Sequence, residues 1–149
     1  IEQYINIINK IRDAREDVSI TTDLIVGFPL ETEEEFQETI STINKIKYSF
    51  IHVFPFSSRS GTEASKLKDL DPQIKKERVN KIIELRNLLK LEYESKFYNK
   101  EIEVLFENYN KVYKTYRGHT SNYLEIQYQS NENLEGKIVK IKINNENIL

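Results

Sequence analysis

Apolar residues recur along the first hundred positions in two alternating rhythms. Ile1, Tyr4, Ile5, Ile8 and Ile11 fall at helical spacing, and the S-I-T-T-D-L-I-V-G-F run at 19–28 reads as a buried strand. A second helix is predicted over about 32–47, where Thr32 and Glu35 have the spacing of a capping box and Phe36, Ile40, Ile43 and Ile46 supply the apolar face. Tyr48 to Phe56 reads as another buried strand. Helix, strand, helix, strand implies right-handed parallel crossovers, and therefore half of an open α/β layer.

Beyond this the rhythm changes twice. Residues 57–71 are rich in Ser, Lys and Asp and carry Gly61, a long loop of the sort that usually has a task. Pro72 opens a long helix to about 98, packed through Ile74, Val79, Ile82, Ile83, Leu85, Leu88, Leu89, Tyr93 and Phe97. From Glu101 the period is two: Ile102, Val104, Phe106; Val112, Lys114, Tyr116; Leu124, Ile126, Tyr128; Val139, Ile141, Ile143. Four short strands separated by Asn-rich and Gly-containing turns suggest a small β-barrel. The expected architecture is α/β followed by all-β, divided as 1–71, a connecting helix 72–98, and 99–149.

Composition narrows the classes of function. A chain of 149 residues buries roughly 70% of its unfolded surface, enough for one good core or two small ones. The net charge of −2 sets up no whole-chain field for nucleic acid, so any RNA binding is local. There is no cysteine, which excludes disulfides and thiolate metal ligation, and two histidines are too few for a credible metal site. No apolar run approaches the ~20 residues of a membrane span and no basic-then-apolar leader is seen, so a cytoplasmic origin is expected. The chain starts at Ile1 and contains no methionine, which suggests a fragment of a larger protein.

Several residues carry candidate chemistry. A strand ending in Gly27 lets a flat ring approach the backbone, and Ile25 offers that ring an apolar surface; tight strand-to-helix packing explains the same glycine. Asp23, beside an apolar strand, suits a ribose hydroxyl or backbone amides. Glu31, Glu33, Glu34 and Glu35 are accounted for by the dipole of the helix they open. His52 is either a core histidine or a donor to substrate. Arg59, in a Ser-rich loop after a strand, suits a phosphate or carboxylate, or a surface ion pair.

In the last third, residues 97–149 balance 7 Lys or Arg against 7 Asp or Glu, so distribution carries the argument. K-V-Y-K-T-Y-R-G-H-T-S-N-Y at 111–123 interleaves Lys111, Lys114, Arg117 and His119 with Tyr113, Tyr116 and Tyr123 and has no acid. That pattern suits phosphate contacts with base stacking, although the polar face of any two-sided strand also produces it. Alternation puts Lys111, Tyr113, Thr115 and Arg117 on one face, opposite Val112 and Tyr116. Lys137, Lys140 and Lys142 either extend this surface or protect an edge strand.

Taken in order, T-D-L-I-V-G-F-P, E-T-E-E-E-F, H-V-F-P-F-S, S-R-S-G-T-E-A, K-K-E-R and G-H-T-S-N-Y resemble the second half of a radical-SAM methylthiotransferase barrel followed by a TRAM domain, an OB-like RNA-binding module. The resemblance covers essentially the whole chain. H-V-F-P-F-S-S-R-S-G-T is most similar to the branch acting on threonylcarbamoyladenosine in tRNA. It implies S-adenosyl-L-methionine contacts from Asp23, Ile25, Gly27, Phe28 and Pro29, and RNA contacts from Arg59, Lys111, Tyr113, Lys114, Arg117, His119, Asn122 and Tyr123. It also implies a parent transferase with two 4Fe–4S clusters, neither of which this cysteine-free chain can hold, and hence no activity in isolation. The implied partners are the anticodon stem-loop of tRNA and a missing amino-terminal part of the same chain. A non-catalytic RNA-binding module and a fragment of a ribosomal-protein methylthiotransferase are the alternatives. Leu30 departs from the family, where Gly follows G-F-P, so the turn either uses ordinary dihedrals or carries local strain.

Overall fold

The computed structural model describes residues 1–149. Its order is α1 (Glu2–Ala14), β1 (Thr21–Val26), α2 (Glu33–Ile46), β2 (Phe50–Pro55), a short 3-10 helix (Glu63–Lys66), α3 (Pro72–Ser95), β3 (Glu101–Asn110), β4 (Thr115–Thr120), β5 (Glu125–Tyr128) and β6 (Ile138–Lys142). The chain forms two compact units, Ile1–Glu16 with Ile20–Lys90, and Asp17–Ser19 with Leu91–Leu149. No helix is long and apolar enough to cross a membrane.

In the first unit β1 and β2 pair in parallel, with Thr21 beside Phe50 through to Val26 beside Pro55. The capping box forms as the sequence predicts. Thr32 accepts from the Glu35 N–H at 3.2 Å, and the Glu35 carboxylate accepts from the Thr32 N–H at 2.8 Å. α2 ends at Lys47, whose φ of 53° turns the chain toward β2. One face of the sheet packs Val26 and Ile51, with Leu24 and Val53, against Ile8 of α1, Phe36, Ile43 and Ile46 of α2, and Ile82 and Leu89 of α3. Each such burial is worth ~1.5–3 kcal/mol of transfer free energy. The opposite face, carrying Asp23, Ile25, His52 and Phe54, is exposed.

The second unit is a four-stranded antiparallel sheet in the order β5-β4-β3-β6. Val104 and Phe106 of β3, Tyr116 of β4, Ile126 of β5 and Ile141 of β6 meet Phe97, Leu124, Leu134 and Ile143 in its core. The sheet does not close into the expected barrel: β5 and β6 are its edges. The outer edge of β5 is covered instead by the last residues, through one Ile126–Ile148 bridge, Gln127 N–H donating to Asn147 O at 2.8 Å and Leu149 N–H to Glu125 O at 3.0 Å. Three residues are too few to make a closing strand. Between Phe106 and Asn108 the β3–β4 register shifts by a bulge. Gly118 lies opposite, where an added Cβ would fall 2.2 Å from Leu105 O.

One predicted strand segment is a turn. Residues 111–114 join β3 to β4, and Val112, expected to face inward, is 82% exposed. The Asn110 side chain accepts from the N–H groups of Val112 and Tyr113 at 3.0 and 3.2 Å, and Lys114 adopts φ 54°. This Asx turn competes with continued strand for the same backbone donors, and it wins. The alternation inferred across Lys111, Tyr113, Thr115 and Arg117 is therefore broken, and Thr115 is buried beside Tyr116.

Candidate functional site

Because β1 and β2 are parallel and in register, Asp23 lies next to His52 and Ile25 next to Phe54 on the exposed face. β2 then leads into the Ser-rich loop. Strand and loop together outline an open groove of about 610 Å3 lined by Ile25, Phe54, Phe56, Ser57, Arg59 and Thr62. Apolar side chains of this size left exposed on a sheet face call for a ligand or a covering surface. A flat, partly polar group fits: faces of Ile25 and Phe54 for its plane, and the Arg59 guanidinium for an anionic end. Sequence reasoning misses Phe54 and Phe56. Ile25 is the available signal, since the residue paired with it in a parallel ladder shares its face.

At the exit from β1, the strand-to-helix packing that the sequence allows is present. Gly27 is buried at φ 72°, and an added Cβ would stand 2.5 Å from Lys75 Cγ of α3. The close approach that glycine permits is thus made by a side chain of the same chain. The Gly27 N–H donates to Glu31 Oε2 at 2.8 Å. That carboxylate pairs with Arg78, whose Nη1 also donates to Glu31 O at 3.1 Å and whose guanidinium lies 5.0 Å from the Phe36 ring centre. The Arg78 side chain is only 7% exposed. Removing one member of such a buried pair costs about 3–5 kcal/mol, because the other charge is stranded. Lys75 in turn donates to Asp69 at 2.7 Å, and this hydrogen bond holds the Asp69 carboxyl below its ordinary range. Glu33, exposed at the start of α2, is lowered chiefly by the hydrogen bond from Gln37, with the Arg78 charge adding to it. Pro29 is buried, Phe28 stacks edge-on against Phe56 at 5.1 Å, and Leu30 takes φ 70°.

The candidate RNA residues divide by place. Lys111, Tyr113 and Lys114 stand exposed in the β3–β4 turn. Arg117 and His119 alternate on the outward face of β4, where Arg117 lies 4.0 Å from Glu125 and His119 Nδ1 lies 2.7 Å from Glu107. Lys140 and Lys142 of β6 are cross-strand neighbours of Glu103 and Glu101. Asn122 faces inward. Its amide donates to Asp17 O and to Tyr93 Oη, both at 3.2 Å, and its carbonyl accepts from the Thr120 hydroxyl, so it holds a turn rather than meeting solvent. Tyr123, next in sequence, is 81% exposed at φ 63°. Holding a non-glycine residue there costs roughly 1–2 kcal/mol.

No family model matches the chain. It is 40% identical over 147 residues to the threonylcarbamoyladenosine tRNA methylthiotransferase MtaB of Bacillus subtilis, covering 96% of this chain and 33% of that protein. It is 37% identical over 145 residues to a tRNA-2-methylthio-N(6)-dimethylallyladenosine synthase of Acetivibrio thermocellus, covering 96% of this chain and 30% of the relative. The corresponding protein of Carboxydothermus hydrogenoformans is 39% identical over 144 residues, covering 95% of this chain and 33% of its own length. The chain spans about a third of the length of the curated relatives it matches.

Proposed function

We propose, from the premise that this chain belongs to the radical-SAM methylthiotransferase family, that residues 1–71 complete the S-adenosyl-L-methionine pocket of a cytoplasmic tRNA-modifying enzyme and residues 99–149 hold its RNA. The segment 72–98 connects them. The substrate of the parent enzyme is threonylcarbamoyladenosine beside the anticodon, a reading supported by the name of one relative at 40% identity and by H-V-F-P-F-S-S-R-S-G-T at 52–62.

The observation that carries this reading is the one-sided parallel sheet. Helices cover one face, while Asp23, Ile25, His52 and Phe54 look outward, as the inner wall of a (β/α) barrel would. Ile25 and Phe54 would hold the adenine ring by its face, and Arg59 would take the methionyl carboxylate or a substrate anion. Asp23 would take a ribose hydroxyl. Phe28 borders this wall through Phe56, and Gly27 and Pro29 shape the strand exit beside it. When bound, S-adenosyl-L-methionine would supply the radical precursor. The chain has no cysteine and does not fit either 4Fe–4S cluster, so its own part is positioning.

The antiparallel sheet supports the TRAM-like role through Lys111, Tyr113 and Lys114 at its turn and Arg117, His119 and Tyr123 along β4 and beyond; buried Asn122 is outside that surface. Replacing Lys111, Lys114 and Arg117 together by Ala is expected to weaken tRNA binding and to flatten the salt slope by about 2, roughly 0.7 for each single-strand phosphate no longer neutralised. An unchanged slope in a filter-binding series removes this sheet from the interface.

A further inference from the structure

We infer that Tyr123, with Leu105, Ile138 and His119, forms a stacking slot for one unpaired base of single-stranded RNA. This rests on the RNA-holding role proposed above and specifies what that surface grips.

The outward rows of β3 and β6 show where the slot begins. Glu101 faces Lys142 and Glu103 faces Lys140, so the first two cross-strand pairs are opposite charges. At the next such pair the pattern switches. Leu105 faces Ile138, and the two are 43% and 66% exposed. β6 is an edge strand, where a bare isoleucine invites unwanted pairing unless something covers it. His119 is the neighbour of Leu105 on the β4 side. These residues, with Glu103 and Tyr123, line a cavity of about 330 Å3.

The backbone at Tyr123 is held by the turn it belongs to. Its N–H donates to Thr120 O at 3.0 Å, the Leu124 N–H donates to Thr120 Oγ1 at 2.9 Å, and the Thr120 N–H returns to Leu124 O at 3.1 Å. Buried Asn122 anchors the same turn to Asp17 and Tyr93. Left-handed backbone at a non-glycine residue is enriched at ligand-binding positions, and here it holds up an exposed aromatic ring. A base matches the slot better than a protein side-chain cluster. The apolar floor is small, Glu103 and His119 offer hydrogen-bonding groups at its border, and the 111–123 stretch carries four basic or histidine side chains without an acid.

The chain has no tryptophan, so Tyr123→Trp gives a single indole reporter. Titrating the full chain with oligoadenylate RNA is expected to quench that indole saturably, at the midpoint given by an independent binding measurement. Leu88→Trp, at an exposed position of α3, is expected to show no change. Tyr123→Asn removes the ring while tolerating the left-handed backbone, and is expected to weaken binding about 5- to 150-fold; Tyr123→Phe is expected to retain it. If the wild type binds RNA but the indole emission of the Tyr123→Trp variant stays constant, or Tyr123→Asn binds as tightly, the slot is refuted and the wider RNA interface stands. Failure of the wild type to bind any RNA overturns both.

Discussion

A leucine at φ 70° follows Pro29, where relatives are expected to carry glycine, and this one residue shows how strain is distributed at the strand exit. The turn must bring the Glu31 carboxylate back to the Gly27 N–H and to Arg78, and that closure fixes the backbone whatever side chain occupies position 30. Leu30→Gly relieves roughly 1–2 kcal/mol of left-handed strain and gives back about 0.5–1 kcal/mol of unfolded-state entropy. A net stabilisation of about 0.5–1 kcal/mol is expected, read as a higher urea midpoint at unchanged slope; a lower midpoint would show that the exposed leucine makes contacts worth more than the strain. Sequence alone poses ordinary dihedrals against strain at this turn, and strain is the outcome. Arg78 is less legible. Its partner Glu31 lies 47 positions away, and the nearby carboxylates read simply as a helix-opening cluster.

At the scale of elements, the α2 cap and the parallel strands are readable from sequence, while the β3–β4 connection is not, although its deciding contact is local. The α2 cap needs only Thr32 and Glu35, and the parallel strands only their apolar runs. Residues 111–114 mislead because V-Y-K-T-Y alternates like a strand while the deciding acceptor, Asn110, precedes the run. On the exposed face of the parallel sheet, the chain places Ile25, Phe54 and Arg59 around one groove, and only the first and last are recognisable from sequence. Gly118 is a further case. Its requirement arises from the bulged β3 backbone, with Leu105 O and Phe106 Cα well inside van der Waals distance of where a methyl would sit. Gly118→Ala is expected to destabilise the antiparallel unit by about 1–3 kcal/mol, seen as loss of near-ultraviolet tyrosine dichroism at lower denaturant. A wild-type midpoint would mean that the strands separate more easily than this packing implies.

At the scale of the whole molecule, composition limits what the chain can ligate. Two cores, one under a parallel sheet and one within an antiparallel sheet, are built without a single thiolate. Anaerobic incubation of the chain with ferrous iron and sulfide is therefore expected to leave no cluster absorbance after desalting, and added S-adenosyl-L-methionine is expected to remain uncleaved under reductant. A stable brown product with cleavage would contradict the positioning role. The Glu101–Lys142 and Glu103–Lys140 pairs have a separate effect on how the chain reaches its native form. Sliding β6 by a single position would swing Ile141 out to water and drive two ammonium groups among the apolar side chains of the core. Misaligned assembly is thereby penalised at both surfaces of the strand, so the alternating lysines act as a proofreading device for an edge that β3 guides from one side only.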